Sequence, residues 1–282
     1  MNIKKYYILI AEGVTDCSLL EAVLEQYLQF SSFAKVDELP EIFKNMIGIY
    51  PSGLGELKRT DSPMFYYKDV IGIAVKQANG CNNLAAKASA LIEIIDQLDV
   101  YDQFGGFLLF GDTDEKTEDE IKTLLTRTFK ERDFDYTGDV IKAYGHELTC
   151  KLHLLPSSGR GAIEKVLLKC VEKSYDTLTK DAENFKMVVM QPEYADIRKK
   201  CWAKKDEIQE FYADKVQFEA ISAVLKPDRP VRFAIKDKII RKEYYDLYMQ
   251  IPDFKKVYDF SVKNFDYPEK PLKYKHIRRI SD

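Results

Sequence analysis

The chain has 282 residues, enough to bury a sizeable core as one large domain or two small ones. Its 45% apolar and 32% charged residues are those of an ordinary soluble globular protein. A formal net charge of −3 gives no global pull toward nucleic acid or membrane, so any polyanion partner requires a local basic patch.

Cysteine usage narrows the field further. The five cysteines (17, 81, 150, 170 and 201) are scattered without a Cys-x-x-Cys pair, and there are three histidines, which speaks against a zinc site. They read as free thiols of a reducing compartment. The apolar run after Lys4 and Lys5 is too short for a signal peptide and ends in Glu12, and nothing approaches a membrane-spanning length. A cytoplasmic protein is the expectation.

Residues 3–11 form a β-rich apolar run, a first buried strand. After Glu12-Gly13-Val14-Thr15-Asp16, the apolar residues Leu19, Leu20, Val23, Leu24 and Tyr27 recur at helical spacing, so a helix is expected to about Phe30. Gly13 would allow the tight turn and Thr15 would cap the helix. Residues 31–68, with Pro40, Pro51, Gly53, Gly55 and Pro63, have no clear period and read as an irregular insertion, with a short helix around Glu41 to Met46. Val70 to Val75 is a second strand, and residues 82–97 form a helix with an apolar stripe. Gly105 to Asp114 contains a third strand, 106–111, bounded by glycines and closed by Asp112 and Asp114. A helix then runs from about Thr117 to Lys130.

Residues 131–149 read as a loop or hairpin, Lys151 to Leu155 as a fourth strand, and Ala162 to Val171 as a helix. Alternating strands and helices of this kind imply right-handed βαβ units around a parallel sheet. From Lys173 to Leu225 the pattern is helical and polar, with Trp202, Ile208, Phe211, Tyr212, Val216, Phe218, Ile221 and Val224 as expected buried positions. The rest is rich in tyrosine and phenylalanine and ends in a basic tail, 270–279. The division expected is therefore a core over 1–170 and a helical, aromatic-rich portion over 171–282 packed on it.

The first and third strands both end in carboxylates, Glu12 with Asp16 and Asp112 with Asp114. In open α/β sheets that edge is where ligands bind. If the two strands are neighbours, four acids meet in one crevice and repel one another unless divalent cations sit between them. Hard cations such as Mg²⁺ take oxygen ligands and activate water beside phosphate, which points to phosphoryl-transfer chemistry. The competing reading makes Asp112 and Asp114 part of an acidic helix start, suited to the positive end of a helix dipole.

A strand ending in Glu12-Gly13 and a second ending in Gly111-Asp112-Thr113-Asp114 resemble the two motifs of the TOPRIM domain, a Rossmann-like α/β fold. Topoisomerases, DnaG-type primases and nucleases of the overcoming-lysogenization-defect (OLD) group share it. Asp16, four residues after Glu12, is closer to the OLD pattern. Leu155-Pro156 with Gly161 and Glu164, and Asp214-Lys215 with Ala220, are similar to later motifs of small stand-alone OLD-like proteins. The resemblance spans about residues 5–225. It departs in the insertion at 31–68, and no ATPase half or Gly-x-x-x-x-Gly-Lys loop is present in this sequence.

This resemblance implies Glu12 as a metal ligand or general base, Asp16 as a further ligand, and Asp112 and Asp114 as holders of Mg²⁺ or Mn²⁺. It implies that Glu164 completes a second metal site and that Lys215 faces the scissile phosphate. Arg160 would grip a phosphate, and Lys273, Lys275, Arg278 and Arg279 of the tail would contact a nucleic-acid backbone. Glu164, Lys215 and Arg160 also have plain surface readings, and terminal charge runs are commonly just solvated. The function expected is a metal-dependent nuclease acting on DNA or RNA, an effector of anti-phage defence beside a partner ATPase. The alternative is a TOPRIM-derived binding or regulatory module. A primase-like transferase is weaker without a zinc-binding cysteine cluster, and a homo-oligomer stays open.

Overall fold

The computed structural model describes residues 2–47, 63–114, 116–156, 161–202 and 209–265, with side chains on α8 described from Tyr212 onward. Strand β1 (Lys5–Ala11) leads into helix α1 (Val14–Ala22), which continues as a wider π turn, Val23–Tyr27. Strand β2 (Ser31–Ser32), helix α2 (Glu41–Ile47), β3 (Met64–Lys68) and β4 (Ile71–Gln77) follow. Next come α3 (Leu84–Leu98), β5 (Phe104–Asp112), α4 (Glu118–Lys130), β6 (Asp135–Tyr136), β7 (Val140–Ala143) and β8 (His146–Leu155). The remainder is helical: α5 (Ile163–Ser174), α6 (Asp176–Val189), α7 (Ala195–Cys201), α8 (Gln209–Leu225), α9 (Val231–Ala234), α10 (Tyr245–Tyr248) and α11 (Pro252–Asn264).

The strands form one eight-stranded sheet in the order β2-β3-β4-β1-β5-β8-β7-β6. Its centre is parallel, β4-β1-β5-β8, and both edges are antiparallel. Strand β1 is apolar throughout because both its faces are covered. Tyr7, Leu9 and Ala11 face the layer of α1, α5 and the C-terminal helices. Tyr6, Ile8 and Ile10 face α2, α3 and α4. Alternate side chains of a strand point to opposite faces, so one heptapeptide serves two cores. Gly105 is required here, since a Cβ would meet the Tyr7 ring at 2.4 Å.

The segment expected to be irregular, 31–68, is ordered at both described ends. Met64–Lys68 pairs antiparallel with β4, and Ser31–Ser32 pairs with β3. The run Met-Phe-Tyr-Tyr-Lys is short and follows Pro63, so it lacked the bounded apolar signature of the inner strands. Residues 131–149 do form a hairpin, and the fourth strand begins at His146, earlier than expected. The C-terminal helices share one apolar core with β1 and α1 through Phe218, Ile221, Ile235, Tyr248 and Phe254. Val224, expected inside, is 64% exposed. It lies in the last turn of α8. Trp202, Tyr212 and Val216 are half-buried; Ile208 and the Phe211 side chain lie outside the described part.

Candidate metal and phosphate site

Because β1 lies between β4 and β5, the two carboxylate-bearing strand ends are neighbours. Three backbone-to-side-chain bonds then fix the acids. The Asp112 N–H donates to Glu12 Oε2 at 3.0 Å, tying the end of β5 to the end of β1. The Gly13 N–H donates to Asp16 Oδ2 at 2.9 Å, an acid closing the first turn of its own helix. The Ile163 N–H donates to Asp112 Oδ1 at 3.0 Å, so Asp112 caps α5, which has no side-chain cap of its own.

Gly13 is extended (φ −128°), so the expected tight turn is not its reason. A Cβ there would stand 3.0 Å from Asp16 Oδ2, and the glycine makes room for that carboxylate. Thr15 lies one residue inside α1 and is not its cap; its hydroxyl bonds the Glu164 carboxylate instead. The acidic-helix-start reading holds for Asp112 at α5, not at α4, where it was expected. Helix α4 is capped by Thr117, whose side chain accepts from the Glu120 N–H, and its own acids are Glu118, Asp119 and Glu120.

The extended backbone stops at Asp112. Asp114 takes φ +37°, a left-handed conformation that aspartate tolerates better than most residues. Its N–H donates to the Gly161 carbonyl at 2.8 Å, tying this loop to the start of α5 and to Glu164. The two acids of the Asp-x-Asp pair therefore reach the crevice by different routes.

Electrostatics show that these acids share one site. Asp16 is pushed up to about 8 by burial, then by the charges of Glu12 and Glu164. Asp112 is raised well above the carboxylate range by burial, then by Asp16, Glu164, Asp114 and Glu12. Glu12 and Glu164 are raised too, chiefly by burial. Lys215 of α8 answers them: burial pulls its ammonium down, but Glu164, Asp114 and Asp112 outweigh that and hold it above the usual lysine value. Its neighbour Asp214 pairs with Lys186 of α6 at 2.9 Å and anchors the helix that carries it.

Six of the expected residues, Glu12, Asp16, Asp112, Asp114, Glu164 and Lys215, thus converge. Arg160, Lys273, Lys275, Arg278 and Arg279 lie outside the described residues. Other groups complete the mouth. Cys81 and Asn82, in the turn after β4, line an open cavity of ≈ 500 Å³ together with Glu12, Asp112, Asp114 and Lys116. The Cys81 N–H bonds the Glu12 carboxylate, and the Cys81 thiol is pushed up to about 12 by burial and by Glu12. The Asn79-Gly80 turn at the same sheet edge was the available signal for this loop.

Among the described residues, no three acidic, histidine or cysteine side chains stand ready to hold one ion. The donor set itself suits a hard divalent cation, being all oxygen. Asp16 Oδ1 and Glu164 Oε2 are buried without a hydrogen-bond partner, a state that costs free energy until something cationic meets them.

No family model matches this chain, and no curated protein matches it. Among solved structures it is similar to a hypothetical protein of Pyrococcus horikoshii OT3, with a TM-score of 0.49 and 13% identity over 92% of this chain and 99% of that one. No helix among the described residues is long and apolar enough to cross a membrane.

Proposed function

We propose that this chain is a TOPRIM-type, divalent-metal-dependent nuclease hydrolysing phosphodiester bonds of DNA or RNA. The carrying observation is the pair of buried, partnerless oxygens, Asp16 Oδ1 and Glu164 Oε2, inside a five-acid crevice at the C-terminal edge of a parallel sheet. Asp16, Asp112, Asp114 and Glu164 would hold Mg²⁺ or Mn²⁺, with Glu12 as a further ligand. When bound, such an ion polarises a phosphoryl oxygen and lowers the pKa of water beside it. Glu12, raised by burial, is suited to accept a proton from an attacking water at its carboxylate. Lys215, kept charged by its acidic surroundings, offsets negative charge building on the phosphate oxygens. The main-chain bonds to Glu12, Asp16 and Asp112 hold these groups in place before substrate arrives.

The test is cleavage of plasmid, single-stranded DNA and tRNA with Mg²⁺ or Mn²⁺ by the wild type, Glu12→Ala and Asp112→Ala. Loss of cutting in both variants, each shown to be folded by circular dichroism, is the expected result. Equal activity in all three proteins would sink the site assignment.

One observation favours the second reading, a binding or regulatory module working with a partner ATPase in anti-phage defence. Helices α6 and α7 expose Phe185, Met187, Val188 and Ile197 at 41–55%. Exposed apolar groups of this kind suit a protein contact, with a partner or a second copy of the chain, more than they suit hydrolysis. A calorimetric Mn²⁺ titration separates the readings: a folded chain with no binding tighter than millimolar favours the module.

A further inference from the structure

A second cavity, of ≈ 220 Å³, lies beside the acidic crevice. Asn79 lines both cavities. Cys17 and Ser18, the residues after Asp16 in α1, line the second one. Its charged lining is Lys76 from the end of β4, Lys87 from α3, Arg232 from α9, and Glu21. Glu21, whose carboxylate also takes Lys236 at 2.9 Å, supplies one negative charge against these three.

Three cations brought from three elements into one cavity repel one another. Lys76 registers it: burial first, then the charge of Lys87, holds its ammonium below the usual lysine range. Arg232 is only 9% exposed, with its guanidinium 5.3 Å from the Phe233 ring. A cavity lined by a guanidinium, two lysines and one shared carboxylate holds positive charge in excess, which an entering anion offsets. The volume falls below the roughly 300–1,000 Å³ of sites for drug-sized molecules, and suits one tetrahedral oxyanion. Arginine offers a planar fork to phosphate oxygens, and lysines add point charges around it.

We propose that this cavity is a phosphate-binding subsite, holding a non-scissile phosphate of the same strand whose scissile phosphate lies over Glu12 and Asp112. The assignment of that strand rests on the nuclease reading; the anion site itself rests on Lys76, Lys87 and Arg232. It explains how a chain of net charge −3 grips a polyanion without a broad basic face.

The test uses the full chain, with Lys76→Gln and Lys87→Gln in place of changes at the buried Arg232. Anisotropy of a fluorescein-labelled single-stranded 12-mer, DNA and RNA in turn, is followed against NaCl without divalent metal. Each variant is expected to bind several-fold more weakly, with a log–log salt slope shallower by about 0.7 per lost phosphate contact. Calorimetric Mn²⁺ affinity is expected to stay at the wild-type value in both. Unchanged oligonucleotide affinity and slope in both variants would overturn the subsite. Inorganic phosphate is the second probe. Wild-type phosphate binding that is lost in Lys76→Gln, with no oligonucleotide binding by any protein, would keep the anion site and overturn its assignment to a nucleic-acid strand. Failure of the nuclease reading alone would show differently, as absent Mn²⁺ binding and cleavage beside intact, lysine-dependent oligonucleotide binding.

Discussion

Helix α1 and its π extension meet acids at both ends, with opposite fates. Near the C-terminal end, Glu21 and Glu25 both take the ammonium of Lys236 at 2.9 Å, and the same ammonium donates to the Tyr66 hydroxyl at 3.2 Å. Near the N-terminal end, Asp16 faces Glu12, Asp112 and Glu164, with Lys215 acting on Asp112 and Glu164 through its field. The first set is closed by the fold itself. The second is left with partnerless oxygens and raised proton affinities. Buried charge that the chain neutralises is architecture, and buried charge that it leaves open is a place for a ligand.

The largest expected effect breaks the closed set. In Lys236→Met the Glu21 side chain, 7% exposed, loses the ammonium that binds it at 2.9 Å. Removing one partner of a buried pair costs about 3–5 kcal/mol. Urea unfolding is expected to show that loss, with part of it recovered by adding Glu21→Gln. A loss under about 1 kcal/mol would mean that water already reaches Glu21, and the contrast between the two sets would collapse.

The open set should respond in the opposite sense and to pH. Asp16 has an ordinary value of 3.8 and a folded value of about 8, so over that interval the folded chain holds more protons than the unfolded one. Stability of the metal-free protein therefore falls as pH rises through it. Asp112, raised by burial and its neighbours, adds to the same slope. His153, pushed down to about 4 by burial and Lys256, works the other way at low pH, so the clean window is pH 6.5 to 8. There, urea unfolding in EDTA should lose up to about 1.4 kcal/mol per pH unit for each such group, and Asp16→Asn should flatten the slope. Mn²⁺ at a hundred times its dissociation constant should add about 2.7 kcal/mol at the alkaline end. A flat profile in EDTA would remove the open site from the comparison.

The two sets also differed in legibility. The open one could be read from local order: an apolar strand followed by Glu12-Gly13, and another followed by Asp112-Thr113-Asp114, need only be adjacent to converge. Strands β1, β4 and β5 announced themselves because double-sided burial makes them largely apolar, whereas β8, HELTCKLHLL, showed only its C-terminal half. The closed set was invisible, since Lys236 is separated by more than two hundred residues from Glu21 and Glu25. In sequence it is one lysine among charged neighbours on a helix. Strand β3 escaped for a related reason: its identity depends on β4 beside it, and its own five residues carry little pattern. The role of Thr15 depended on where α5 lands, which the order of residues around Thr15 does not encode.

The smallest expected effect supplies the control. Lys122 and Glu118 form an i,i+4 pair on α4, with side chains 47% and 62% exposed. Both are solvated in the unfolded chain and remain largely solvated in the folded one, so little desolvation is at stake and salt screens what attraction there is. Lys122→Ala should change unfolding free energy by no more than about 0.5 kcal/mol, and raising NaCl should shrink even that. The same salt increase should leave the Lys236→Met cost nearly unchanged, because Lys236 and Glu21 are 10% and 7% exposed and counterions do not reach between them. If the two substitutions responded alike to salt, burial would not be what separates a charge that builds the fold from one that decorates it. The open crevice would then lose its claim to be a site on electrostatic grounds.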